Sequence, residues 1–235
     1  MDRTVTNAMT VFTAVVFPVL CFLLLLGGCR QEVEQIQEES VPEEFMGTIV
    51  AVGDSLTAGL GIDEEFSYPA QLQQRLVEEG RKYRVINAGV SGETSSGTLS
   101  RLEWILTMNP DIVILEIGGN DGLRGIDPAV PRKNIDQILQ MLRDRNVITI
   151  LVGMKMVLNL GDEYTTEFNS IYPEIAAKYG LIFMPFFLHG VATLPELNTA
   201  DGIHPNSDGY SVVVENIYPY VIKAIGSLEK GRKSS

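Results

Sequence analysis

Five short runs rich in valine and isoleucine, separated by segments of helical periodicity, constrain this chain more than any other feature. The runs are TIVAVG from Thr48, YRVINAG from Tyr83, DIVILEIG from Asp111, VITILVG from Val147 and LIFMPF from Leu181. They do not alternate polar with apolar residues, as strands covered on both faces need not. Between them lie apolar stripes at three- and four-residue spacing. Leu72, Leu76 and Val77 form one, closed by Gly80. Leu99, Leu102, Ile105 and Leu106 form a second, stopped before Pro110. Ile135, Ile138, Leu139 and Leu142 form a third. Phe168, Ile171, Tyr172 and Ile175 form a fourth, which Pro173 is expected to kink. Val213, Val214, Ile217 and Val221 form the last. Strand-helix alternation of this kind predicts an α/β fold, a parallel sheet with helices on both faces.

The 235 residues, 45% of them hydrophobic, suffice for one domain with a sizeable core and leave little room for two. A net charge of −12 argues against a nucleic-acid partner. Six glutamates and no base fall in QEVEQIQEESVPEE, residues 31–44, which reads as a solvated tether. Ahead of it, residues 11–28 are almost entirely apolar and end in small residues, the pattern of an export signal. The competing reading is an uncleaved membrane anchor, since about 18 apolar residues can span a bilayer. The segment Leu26-Gly27-Gly28-Cys29 resembles the lipobox of bacterial lipoproteins, which implies lipid attachment at Cys29 and a domain held to a membrane outside the cytoplasm. The expected organisation is a leader over 1–28, an acidic tether over 29–46, a folded domain over 47–228 and a polar tail over 229–235. Cys21 and Cys29 are the only cysteines, so the domain has neither a disulfide nor a cysteine nucleophile.

In parallel sheets, sites form beyond the carboxyl ends of the strands. The first run ends in Gly53-Asp54-Ser55-Leu56, the second in NAGVSGET and the third in GGNDGLRG. The fourth is followed by the apolar MKMVLNLGD and the fifth, at some distance, by DGIHPN. A serine nucleophile needs a base, the base needs an orienting carboxylate, and the oxyanion needs preorganised donors. Of the two histidines, His204 has Asp201 three residues before it and Pro205 after it to restrict its backbone. His189 has no such neighbour and is expected to be structural or on the surface. The Asn120 amide can donate to an oxyanion without carrying charge, and Gly92 can present an unobstructed N–H. Two histidines are too few for most catalytic zinc sites, and no G-x-G-x-x-G turn follows the first run, against a dinucleotide site.

These four blocks, Gly53-Asp54-Ser55-Leu56, Gly92, Gly119-Asn120-Asp121 and Asp201-x-x-His204, resemble those of the GDSL, or SGNH, hydrolases. Stretches such as GGNDGLRG and DGIHPN resemble the thioesterase I/lysophospholipase L1/arylesterase subgroup, and the likeness covers about residues 48–225. It implies a flavodoxin-like three-layer α/β/α fold with a parallel five-stranded sheet. It also implies Ser55 as nucleophile, His204 as base, Asp201 as its orienter, and an oxyanion hole of the Ser55 N–H, the Gly92 N–H and the Asn120 side chain. No cofactor or metal is implied. Asp54 and Asp121 are expected to serve turns and helix starts. The expected substrate is a small acyl ester or thioester. The alternatives are an O-acetyl esterase of sugars or cell-wall glycans, and an inactive tethered binding module. Met154, Met156, Val157, Leu158 and Leu160 are either buried against helices or form an acyl-binding wall beside Ser55.

Overall fold

Val, Ile and Leu at consecutive positions fill a strand that meets helices on both faces, and the two central strands show it. Ile49, Val50, Ala51 and Val52 of β1 (Gly47–Gly53) and Ile112 to Leu115 of β3 (Ile112–Glu116) are fully buried. The computed structural model describes residues 45–156 and 160–233. The apolar leader, Cys29 and nearly all of the acidic tether lie outside the described residues. Among those described, no helix is long and apolar enough to cross a membrane.

The elements follow one another as β1, α1 (Ser55–Ala58), α2 (Tyr68–Glu78), β2 (Tyr83–Gly89), α3 (Ser95–Ser100), α4 (Leu102–Leu106), β3, α5 (Gly119–Leu123), α6 (Ala129–Asp144), β4 (Ile148–Val152), α7 (Asp162–Tyr179), β5 (Ile182–Met184) and α8 (Ser207–Lys233). Five parallel strands pair in the order β2-β1-β3-β4-β5. Helices α2 and α8 pack together on one side, with α2 against β2 and α8 against β4 and β5. Helices α3, α6 and α7 pack together on the other, with α6 and α7 against β4. This is the expected three-layer α/β/α arrangement, with the flavodoxin-like strand order. The register aligns Gly53 with Gly89 on one side and with Glu116 on the other, and Glu116 with Val152. The strands therefore end together, and the segments that follow them share one rim.

The structure departs from expectation in three places. The chain after residue 228 is not a tail, because α8 continues to Lys233. Tyr83 donates to Glu229 at 3.1 Å, and Arg232 bonds Asp111 at 2.6 Å and the Met46 carbonyl, which ties the helix end to the start of the sheet. Val77, placed in the first stripe, is 52% exposed, because a residue one step past Leu76 is turned about 100° from the buried face. The second stripe is split between α3 and α4, with Arg101 at φ −105°, ψ 8° between them. The Arg101 guanidinium is engaged with Glu93 and the Ala88 carbonyl. Pro173 lies inside α7, within the fourth stripe where a helix was expected.

Two buried tyrosines anchor the rim from opposite layers. Tyr210 of α8 donates to the Leu56 carbonyl in α1 at 2.8 Å, and Tyr172 of α7 donates to the Ile117 carbonyl just after β3 at 2.8 Å. Gly89, at the end of β2, faces the backbone of α1. A Cβ there would lie 2.3 Å from the Ala58 nitrogen, and backbone cannot rotate away as a side chain can. Gly89→Ala should therefore lower stability by about 1–3 kcal/mol through overpacking. Urea denaturation followed by circular dichroism checks this, and turnover should fall with it because the displaced element carries Ser55.

Candidate active site

The turn after β1 is shaped by Asp54. Its carboxylate accepts the Leu56 N–H at 3.0 Å, capping the single turn α1, so Ser55 becomes the first residue of that helix at the sheet rim. Ser55 Oγ lies 2.8 Å from His204 Nε2, and His204 Nδ1 lies 2.7 Å from Asp201 Oδ2. Serine and histidine are 149 residues apart in sequence. The fold alone brings them within hydrogen-bonding distance.

The loop that carries Asp201 and His204 is closed on itself. Asn198 and Pro205 form an antiparallel bridge, and the Thr199 N–H bonds the His204 carbonyl at 2.8 Å. Asn198 roots the loop by donating to the Val191 and Leu194 carbonyls at 2.8 and 2.7 Å. Asp201 Oδ1 accepts the N–H groups of Ile203 and His204 at 2.8 and 3.0 Å and the Thr199 hydroxyl at 2.9 Å, leaving Oδ2 for the imidazole. Those backbone N–H groups, Ile203 first and then His204, hold the Asp201 carboxyl below the ordinary carboxylate range, and the imidazole adds to the effect. Asp201 thus stays charged wherever an imidazole titrates.

The oxyanion candidates come from the two neighbouring strand ends. Asn120, in α5 after β3, donates Nδ2 to Asp54 Oδ2 at 3.0 Å, which spends one amide hydrogen and orients the other. Asp54 is thereby shared between the nucleophile turn and the Asn120 amide, a second use beyond the turn expected of it. Its burial pushes its pKa up, against the Leu56 and Asn120 hydrogen bonds that favour the charged form. Gly92 sits at φ +76°, a conformation that favours glycine, and its carbonyl accepts Arg124 Nη2 at 2.7 Å. The next residue, Glu93, pairs with Arg101 at 2.7 and 2.6 Å, which braces the loop from α3. Asp121 is fully buried and accepts the Ser95 N–H and hydroxyl at 2.8 and 2.6 Å, so it opens α3 from across the sheet.

Ser55, His204, Gly92 and Asn120 line one cavity of about 380 Å³. Its apolar surface comes from several loops. Met154 and Met156 contribute, as expected for a wall beside Ser55, and so do Leu60, Leu123, Phe186 and Ile203. Those last four were missed, although each follows or sits within a strand-end segment. Leu160 stands just before α7, is 39% exposed and does not line the cavity. Val157 and Leu158 lie outside the described residues. His189 is exposed and away from the cavity, with its backbone carbonyl bonded by Asn216 at 2.7 Å. Among the described residues no three of His, Cys, Asp and Glu converge as a metal site.

An activated serine beside an apolar cavity and an amide donor can take up an acyl group, and the chain's relatives can be set against that geometry. The chain matches the GDSL-like Lipase/Acylhydrolase family over residues 51–212. It is 39% identical over 197 residues to Esterase TesA of Pseudomonas aeruginosa, covering 83% of this chain and 96% of that protein. It is 36% identical over 169 residues to Thioesterase 1/protease 1/lysophospholipase L1 of Escherichia coli K12, covering 72% and 80%. The solved structure of the psychrotrophic esterase EstA from Pseudoalteromonas sp. is 30% identical, with a TM-score of 0.73 over 77% of this chain and 99% of that one. With the four blocks assembled at one rim and the family match spanning most of the domain, this chain belongs to the GDSL-like lipase/acylhydrolase family.

Proposed function

We propose that the protein is a serine hydrolase of carboxylic esters and thioesters that works through an acyl-enzyme, carried outside the cytoplasm and tethered to a membrane by a lipid on Cys29. The observation that carries the catalytic reading is the unbroken path from Asp201 through His204 to Ser55 at the mouth of an apolar cavity. An esterase and a thioesterase/lysophospholipase among the relatives support it.

His204 Nε2 takes the Ser55 hydroxyl proton as Oγ bonds to the acyl carbonyl carbon. The carbonyl oxygen becomes an oxyanion facing the Ser55 and Gly92 N–H groups and the Asn120 amide. His204 then gives its proton to the departing alcohol or thiol, leaving the acyl group on Ser55. A water enters, His204 takes its proton, and the hydroxide oxygen attacks the acyl-serine. The acid leaves, and the proton returns to Ser55. Asp201 keeps Nδ1–H directed at its carboxylate throughout, so Nε2 remains the face that exchanges protons. The apolar lining favours acyl chains over sugars in the cavity.

Ser55→Ala should lower kcat by about 10⁴–10⁶ and abolish labelling by a fluorophosphonate. Asn120→Ala should keep the label but lower kcat by roughly 10²–10³ with a smaller change in KM. Steady-state kinetics on an aryl ester, with labelling read by mass spectrometry, checks both, and a fall confined to KM would remove Asn120 from the oxyanion hole.

Each substrate methylene buried against Met154, Met156 and Phe186 should add up to about 0.8 kcal/mol, or roughly fourfold in kcat/KM. A series from acetyl to octanoyl esters should climb accordingly. Met156→Ser should flatten the climb while sparing acetyl esters. A preference for acetyl esters in the wild type would instead favour the O-acetyl esterase reading.

The tether is tested separately. Mass spectrometry of membrane-extracted protein should find an N-terminal Cys29 bearing acyl chains, and Cys29→Ala should abolish them without changing the turnover of the domain. An unprocessed Met1 would favour a plain membrane anchor.

A further inference from the structure

Under the nucleophile turn lies a carboxyl that the reaction above does not use. Glu116 ends β3 and is fully buried, and no Lys, Arg or His pairs with it among the described residues. Its Oε2 accepts the hydroxyl of the equally buried Thr57 at 2.9 Å, while Oε1 has no hydrogen-bond partner. Room for the pair is made by Gly53, which is opposite Glu116 in the sheet register. A Cβ on Gly53 would fall 2.0 Å from Thr57 Oγ1 and 2.5 Å from Glu116 Oε2.

The position of this pair is what gives it consequence. Thr57 stands two residues after Ser55, and Glu116 four residues before Asn120. A second link runs the opposite way, from the Asn120 amide to Asp54, the residue just before Ser55. The two bonds, Thr57 to Glu116 and Asn120 to Asp54, cross between the β1–α1 turn and the β3–α5 turn. We propose that Glu116 is a positioning residue, whose carboxyl, acting through Thr57, sets the Ser55 nucleophile at its working distance from the Asn120 amide. This rests on the roles given to Ser55 and Asn120 above.

The role needs an acceptor for Thr57, not a charge. A buried carboxylate without a cation is costly, and such a group keeps its proton instead. Burial first, and then the neighbouring Asp54 carboxylate, push Glu116 well above the ordinary carboxyl range. The other titratable groups around it are the hydroxyls of Tyr68, Tyr172 and Tyr210, which offer no positive charge. Glutamine, uncharged and with the same acceptor geometry, should therefore serve in its place.

The test compares wild type, Glu116→Gln, Glu116→Ala, Thr57→Val and the Ala/Val double variant on a soluble aryl butyrate, with folding checked by circular dichroism. Glu116→Gln should stay within about threefold of wild type in kcat and KM. Glu116→Ala and Thr57→Val should each lower kcat by about 10- to 100-fold with KM little changed, as a small misplacement of reacting groups does. The double variant should be no worse than the more damaging single one, because the two side chains form one link. Thermal melting supplies a readout independent of turnover. Unfolded Glu116 releases its proton near pH 4.5 whereas the folded residue keeps it, so wild-type stability falls as pH rises from there toward the folded value. The difference in Tm between Glu116→Gln and wild type should thus move in favour of Gln from pH 4.5 upward. Loss of activity in Glu116→Gln equal to that in Glu116→Ala would overturn the proposal, as would wild-type kcat in Thr57→Val or a Tm difference independent of pH. If Glu116→Ala fails to fold, Thr57→Val and Glu116→Gln decide. Retained turnover in Ser55→Ala would overturn the catalytic reading itself, a different result from any of these.

Discussion

Strands β1 and β3 lie side by side, and that adjacency places the nucleophile and the amide donor on facing segments. The two strands are hydrogen-bonded neighbours whose ends align at Gly53 and Glu116. The chain leaving β1 returns to form β2 on one side, and the chain leaving β3 goes on to β4 on the other. Connections that depart in opposite directions open a crevice above the shared edge. Ser55 and Asn120 fall on its two walls because each follows its strand by only a few residues. Their separation is set by strand spacing and short turns, which deform little.

Around that crevice, buried and partly buried polar groups do the holding. Asp54 joins the Leu56 N–H to the Asn120 amide, Asp121 joins the third strand end to α3, and Glu93 with Arg101 braces the Gly92 loop. Apolar packing is non-directional and could not fix an amide to within a fraction of an ångström. A hydrogen bond with both partners buried is directional, and breaking it leaves a desolvated group unsatisfied. The acids of the Gly-Asp-Ser and Gly-Asn-Asp blocks are thus better understood as joints than as proton carriers.

The histidine loop solves a different problem. It stands outside the sheet, so no strand sets its position. Its stiffness comes from the Asn198–Pro205 bridge, from the carbonyls gathered by Asn198, and from the N–H groups gathered by Asp201. Asp201 is half-exposed, and the same backbone donors that shape the loop keep its charge in place. Orientation of the imidazole and closure of the loop are one set of interactions.

Much of this was legible in the sequence. Short continuous Val/Ile runs suit strands covered on both faces, and their spacing by helical stripes points to a parallel sheet. The short distance from each run to its motif placed Ser55, Gly92 and Asn120 on one rim, and Asp201 sits near His204 through chain proximity alone. Other features depended on residues distant in sequence. Val77 resembles its stripe neighbours in chemistry, and it is exposed because it is turned about 100° from the face that Leu72 and Leu76 bury. The last five residues of α8 look like a polar tail until Arg232 reaches Asp111. The cavity wall drew Leu60, Leu123, Phe186 and Ile203 from four separate strand-end segments, which only the fold brings together. Glu116 reads as one polar residue in an apolar strand, and its partner Thr57 is 59 positions away. Periodicity and turn chemistry act over a few residues, so the five strands and the motifs that follow them are readable from the chain, whereas the break within the second stripe and the end of α8 are not. Which side chains meet emerges in the folded chain alone, because hydrogen bonds and apolar contacts depend on distances that chain position does not encode.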